Sequence, residues 1–364
     1  MASPLKIVTA QVLLARSVTK LAWPGSGDPD TRFIVFDKYE FHVHSIILKL
    51  HSAFFRRFLD SPDKIPAPNS AAFRYDWVSK IDGDGSWGLV AAGPNVTNDR
   101  RFTTSKQRKE AGGLEILLRV MYGDSIDAIK IPNMERLEAV ANLADYYCAL
   151  RILEPAIPVL VLTSPQILRG FADNTADMLE LALKLRNRTF FHDCLIYATN
   201  PWHNPRYLES LHGGKRARAY PPQLQTAFKL ILARTQSQLA DVQEQIINLQ
   251  RFSWFLDIIK KSTKTCMAKE RGRDEPPLPL PLYFRSLLEN LQSRLPRRYL
   301  DGTYDTKNDD DGVFLCKSAL EDLVRNDLLL PKSPYFDEDY YDGSFLAYNL
   351  YDKDLPWDRA QLDF

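Results

Sequence analysis

The sequence predicts an α+β domain, a small mixed sheet flanked by short helices, followed by a mostly α-helical domain. Three observations predict it. The run RFIVFDKYEFHV alternates apolar and polar side chains around a central Asp37-Lys38 turn, the pattern of a hairpin with one buried face. Directly behind it, SIILKLHSAFFRRFL changes to the spacing of short helices. From Leu114 to about residue 260, helical spacing dominates.

Taken in order, residues 1–30 form an N-terminal segment, ended by the breakers Pro24, Gly25, Gly27 and Pro29. Its residues 1–27 carry Lys6, Arg16 and Lys20 and no acidic residue before Asp28, a composition that overlaps with a mitochondrial presequence. The plainer reading is a strand or helix at KIVTAQVLLA packed beside the first domain. Beyond the breakers, FIVF and YEFHV read as paired strands, with Tyr39, Phe41 and Val43 on one face and Glu40 and His42 on the other. Ile47, Leu48 and Leu50 share a short helix, and Ser52 is placed to cap a second that carries Phe54, Phe55, Phe58 and Leu59. Arg56 and Arg57 fall on its solvent side. The stretches AFRYDWVSKI, DGDG and SWGLVAA read as strand, turn and strand, and residues 94–113 as an exposed loop. LEILLRVMYG is a compact helix closed by Gly123. Asn133 is placed to cap a helix with Met134, Leu137, Ala141, Ala144 and Cys148 on one stripe. Two long helical stretches follow, separated by PWHNP and LHGGKRARAYPP. EPPLPLPLYF reads as a stiff connector, and the acidic, tyrosine-rich residues at the end as an irregular tail that wraps the helical part without forming a domain. The expected domains are therefore 1–30, 31–160, 161–270 and 271–364.

Composition narrows the function classes. A chain of 364 residues with 45% hydrophobic content supplies cores for several domains. Its formal charge of +1 gives no global field toward nucleic acid or anionic membrane. No window is apolar enough to span a bilayer. Cys148, Cys194, Cys266 and Cys316 are scattered without paired spacing, which points to a reducing compartment, cytoplasmic or nuclear.

Several chemical motifs fail on inspection. His42, His44 and His51 are close in sequence and the first two share a strand face, but His51 follows a helix with a different axis, no nearby cysteine completes a zinc set, and His44 has a structural role at the strand-to-helix junction. His192 and Cys194 are near neighbours on one helix, where thiol and imidazole do not face each other, and the flanking Phe190, Phe191, Leu195 and Ile196 read as core. DGSWG has Asp84 where the serine-hydrolase elbow requires glycine, so it reads as a hairpin turn. DTKNDDDG lacks the first and twelfth ligands of a calcium loop, with Lys307 and Ser318 at those places. The basic runs NDRRFTTSKQRKE and GGKRARAY lack interleaved aromatic stacking platforms and read as solvated loops. No glycine-rich phosphate loop is present.

The order strand, turn, strand and two short helices, with FHVHSIILKLHSAFFRRFL across the junction, resembles the BTB/POZ family. The matching positions are Val43, His44, Leu48, Ser52, Phe54, Phe55 and Phe58. LEILLRVMYG and LEAVANLADYYCALRILEPA resemble the family's later helices, so the similarity covers about residues 31–160. The segment between Phe58 and Leu114 is longer than the usual pattern, and its extra strand and turn are reminiscent of fungal members. The resemblance implies a non-enzymatic protein-interaction module whose partners are other proteins, including a second copy of the chain. It implies no cofactor, no metal and no small-molecule substrate. Its alternative is a substrate adaptor of a cullin-type ubiquitin ligase, or a nuclear regulator.

Overall fold

The computed structural model describes residues 16–22, 27–61, 71–93, 96, 102–125, 129–169, 174–200, 205, 207, 220–269, 280–294, 311–325, 328, 345–348 and 350–358. The chain divides into two compact units between Ala156 and Ile157. The first is α+β and the second mostly helical.

Among the described residues of the first unit, five strands form one mixed sheet in the order β1-β3-β2-β4-β5. They are β1 (Ser17–Lys20), β2 (Thr31–Val35), β3 (Tyr39–Val43), β4 (Tyr75–Ile81) and β5 (Trp87–Ala91). β2 and β3 pair antiparallel with Phe33 opposite Phe41, while β4 runs parallel to β2 with Trp77 opposite Phe33. β1 lies parallel to β3, so part of the expected N-terminal segment belongs to this sheet. The reading of KIVTAQVLLA lies outside the described residues.

The β2–β3 turn falls one residue earlier than the sequence suggests. Phe36 and Asp37 are left-handed, at φ 51° and 60°, and the Lys38 N–H closes the turn on Val35 O at 3.1 Å. Two left-handed residues match the twist of a tight hairpin but normally go to Gly or Asn. Here the Phe36 side chain compensates: it is buried against Trp87 and Phe102, and its N–H donates to Ser79 Oγ at 2.7 Å. DGSWG forms the β4–β5 turn, where Gly85 is left-handed and the Ser86 N–H and hydroxyl both donate to Asp84 Oδ1.

The helices of this unit are α1 (Ser45–His51), α2 (Ala53–Phe58), α3 (Thr104–Met121), α4 (Met134–Tyr146) and α5 (Leu150–Leu153). The expected loop at 94–113 is corrected: from Thr104 onward it is helix, started by Thr103, whose hydroxyl accepts the Lys106 N–H. Gly112 and Gly113, which suggest a breaker, are instead where α4 packs. A Cβ on Gly113 would lie 3.1 Å from Ala139 Cβ, and Arg136 covers Gly112. Asn133 caps α4 by accepting the Arg136 N–H at 3.0 Å. Leu137, Ala141 and Ala144 are buried as expected, but the helix ends before Cys148, which is exposed at φ 48°.

The second unit contains α6 (Ile157–Leu162), α7 (Pro165–Arg169), α8 (Thr175–Leu185), α9 (Arg188–Thr199), α10 (Pro222–Leu249), α11 (Ser253–Lys269), α12 (Leu280–Arg294) and α13 (Asp311–Val324). Left-handed Arg186 breaks the first long helical stretch, and Asn187 then caps α9 through the Phe190 N–H at 2.8 Å. Val242, Leu249, Phe255, Phe284, Leu287, Leu291, Cys316, Leu320 and Leu323 join α10, α11, α12 and α13 in one core. Between α11 and α12, Asn290 donates to Ser262 Oγ at 3.0 Å and to Ser286 O at 2.8 Å, so a buried polar group is satisfied across the seam.

The expected irregular region at 271–364 is corrected as well. Leu280–Arg294 and Asp311–Val324 are helices, and Phe345, Leu346, Ala347 and Tyr348 are buried. Pro281 sits in the first turn of α12, where its missing N–H costs no helical bond. The connector's residues 275–279, the acidic stretch at 335–344, most of DTKNDDDG and nearly all of GGKRARAY lie outside the described residues, whereas the other basic run, NDRRFTTSKQRKE, is corrected from loop to helix from Thr104 onward.

Candidate protein-interaction surface

The junction between β3 and α1 is built on His44. Its N–H donates to Tyr122 Oη at 2.6 Å, its Nδ1 lies 2.9 Å from the same oxygen, and its Nε2 lies 3.2 Å from Gly27 O. One assignment satisfies all three contacts: the Tyr122 hydroxyl donates to Nδ1, and Nε2–H donates to Gly27. Burial pushes the Tyr122 phenol up to about 12, so it keeps the proton this arrangement needs. His44 offers no side-chain cap to α1. Asp30 takes that role from before β2, accepting the Ser45 N–H at 2.7 Å and the Ser45 hydroxyl at 2.5 Å.

Ser52 anchors α2 from both sides. Its oxygen accepts the Phe55 N–H at 3.1 Å, and its hydroxyl donates to Tyr147 O at 2.5 Å. Phe55 is then sandwiched between Phe33 and Tyr147, with ring centroids 5.5 and 5.0 Å away and planes nearly parallel. Tyr147 Oη accepts the Leu89 N–H at 3.1 Å, and full burial raises its phenol far above the ordinary range. The α2 helix is thereby tied to the sheet and to the end of α4.

On this base the aromatic residues continue outward. Phe54 is half-buried and touches Phe55, Tyr146, Tyr147 and Phe58, the Phe58 centroid lying 4.8 Å away. Phe58 is 39% exposed and Tyr146 50%. On α1, Ile46 and Leu50 are 66% and 62% exposed, one turn apart, while Ile47 and Leu48 on the other side are buried. The exposure of Leu50 separates it from the buried pair that shares its helix. Arg56 closes the end of α1 by donating to Lys49 O and Leu50 O, which occupies orphan carbonyls and holds the two helices together.

The sequence-predicted positions thus separate into two sets. Val43, His44, Leu48, Ser52 and Phe55 are buried and fix the framework. Phe54 bridges core and surface, and Phe58 is at the surface. Tyr122 and Tyr146, which lie in the Tyr-containing turn and the Ala-Asp-Tyr core of the stretches that resemble the family's later helices, complete the arrangement, and so do Asp30 and Tyr147, which no local pattern singles out.

The remaining candidates are placed apart. His42 Nε2 lies 2.7 Å from Glu40 Oε1 whereas His44 faces Tyr122 and Gly27, and burial lowers the basicity of His51. Among the described residues no group of three His, Cys, Asp or Glu side chains is arranged to hold a metal. Cys194 is fully buried, which pushes its thiol well above the usual range, and the His192 Nε2 lies 3.3 Å from Tyr348 O. No described helix is long and apolar enough to cross a membrane. No family model matches the chain, and no curated protein or solved structure is significantly similar to it.

Proposed function

We propose that the first unit is a non-enzymatic protein-binding module of BTB/POZ type, and that the outer faces of α1 and α2 receive another polypeptide, a second copy of this chain included. The observation that carries this reading is the exposed pair Ile46 and Leu50 on a helix whose opposite face is locked into the core. Large apolar side chains held out on a rigid base gain free energy only when something covers them. The order of strands and helices and the positions of His44, Ser52 and Phe55 support the family resemblance. Phe58, with the Arg57 guanidinium 5.5 Å from its ring centroid, adds an aromatic and cationic anchor of the kind enriched at interfaces.

The test is sedimentation of the full chain beside an Ile46→Asp/Leu50→Asp variant. The wild type is expected to show concentration-dependent mass above 41.7 kDa, or to retain a partner protein on purification, and the variant to lose either behaviour. A wild type that stays monomeric and retains the same proteins as the variant rejects the reading.

A further inference from the structure

The second unit holds residues 345–348 and 350–357 in the manner of a receptor holding a peptide. Phe345–Tyr348 is neither helix nor strand, and its backbone is read by side chains from distant helices. Asn200, at the end of α9, accepts the Leu346 N–H at 3.2 Å and donates to the Leu346 carbonyl at 3.4 Å. His192 Nε2 lies 3.3 Å from Tyr348 O, and Arg188, one turn earlier on α9, donates to Leu350 O at 2.7 Å. The strap therefore runs antiparallel to α9. From α12, Arg285 donates to Phe345 O at 3.1 Å, and on α13 Leu323 O accepts the Ala347 N–H at 2.8 Å. On α10, Arg234 forms a two-pronged ion pair with Asp354.

Side chains of the strap fill aromatic niches. Phe345 packs edge-on to Tyr197 with centroids 5.0 Å apart, and Trp357 does the same on Phe191 at 5.0 Å. Tyr348 meets His192 at 5.5 Å. An asparagine that pairs with both the N–H and the carbonyl of one residue recognises extended backbone of any sequence, because helix and sheet consume those groups. Main-chain bonds for hold and alternate side-chain niches for choice are the two components of extended-peptide recognition.

We infer that the face formed by α9, α10, α12 and α13 is a groove for an extended polypeptide, occupied in cis by residues 345–348 and 350–357. A partner protein presenting an aromatic-aliphatic-small-aromatic segment, with a carboxylate further along to meet Arg234, takes the place of the resident strap. This site is separate from the α1 and α2 surface and does not depend on it.

The test uses the full chain and a fluorescein-labelled peptide of residues 343–358. Substituting Phe345→Ser and Asp354→Asn in the chain weakens the strap and leaves the groove intact. The peptide is expected to bind this variant about tenfold or more tighter than wild type, and Asn200→Ala on the same background to reverse the gain. Native-state hydrogen exchange on the wild type provides a second measurement. A resident ligand releases its amides by a local opening that needs less denaturant than opening of α9. The inference is overturned if the peptide fails to bind a variant that retains its helical circular dichroism. It is overturned equally if, whatever the variant's folding, the strap amides of the wild type exchange only with global unfolding.

Discussion

Phe55 in the first unit and Phe345 in the second are both fully enclosed aromatic residues, yet the backbones that carry them are satisfied in different ways. Phe55 sits on a helix capped by its own neighbour Ser52, and only its ring and cap reach across the fold to Phe33 and Tyr147. Phe345 belongs to an extended segment whose backbone is paired by Arg285, Asn200 and His192, the last 156 residues distant in sequence from the carbonyl it faces. The first arrangement makes the segment part of the domain's own framework. The second makes it, on the inference above, an occupant held by groups that belong to other elements.

Removing Phe55 tests the framework side of this contrast and carries the largest expected effect. Phe55→Ala leaves a hole between two rings and is expected to cost about 3–5 kcal/mol, read as a shift in the urea midpoint of the first unit. Arg234→Ala tests the occupant side. It strands the nearly buried Asp354 carboxylate and is expected to cost about 1–3 kcal/mol, with faster exchange of the amides at 345–358 and little change in α11. If both substitutions destabilise their whole unit alike, the distinction between framework and occupant fails.

The same ion pair predicts a pH dependence. Arg234 holds the Asp354 carboxyl below its usual range, with the Tyr351 N–H and Lys353 acting in the same direction. A depressed carboxylate contributes stability that is complete above its unfolded value and is lost as pH falls through its folded value. The strap should therefore keep its protection through neutral and mildly acidic pH and lose it below the ordinary aspartate range. Arg234→Ala should erase this acid step, measured by hydrogen exchange or by proteolysis near Tyr351. Ser52→Ala carries a smaller effect, about 1 kcal/mol for the lost cap, visible as a lower thermal midpoint of the first unit.

The contrast also explains what could be read from sequence. The β2–β3 hairpin, the Ser52 and Asn133 caps and the Asp84 turn follow from residues within a few positions of one another, so pattern alone locates them. The start of α3 does not, because its Gly112-Gly113 pair reads locally as a breaker and is explained only by the close approach of Ala139. Phe36 reads as strand because its left-handed turn is supported by Trp87, Phe102 and Ser79, all far along the chain. The strap is the extreme case: an acidic, tyrosine-rich composition suggests an irregular tail wrapped on the helical part, but only the receiving side chains on α9, α10 and α12 fix where it lies. At the α1 and α2 surface, the buried His44 and Ser52 are legible as motif, while the exposure of Ile46, Leu50 and Phe58 depends on which helix face the sheet occupies.

The distance between α9 and its strap also sets a clock during synthesis. His192 leaves the ribosome 156 residues ahead of Tyr348. At bacterial to eukaryotic elongation rates of about 5–20 residues per second, that interval is roughly 8–30 s. Through that interval Phe191 and Tyr197 have been made without Trp357 and Phe345, the strap residues that pack on them in the finished fold.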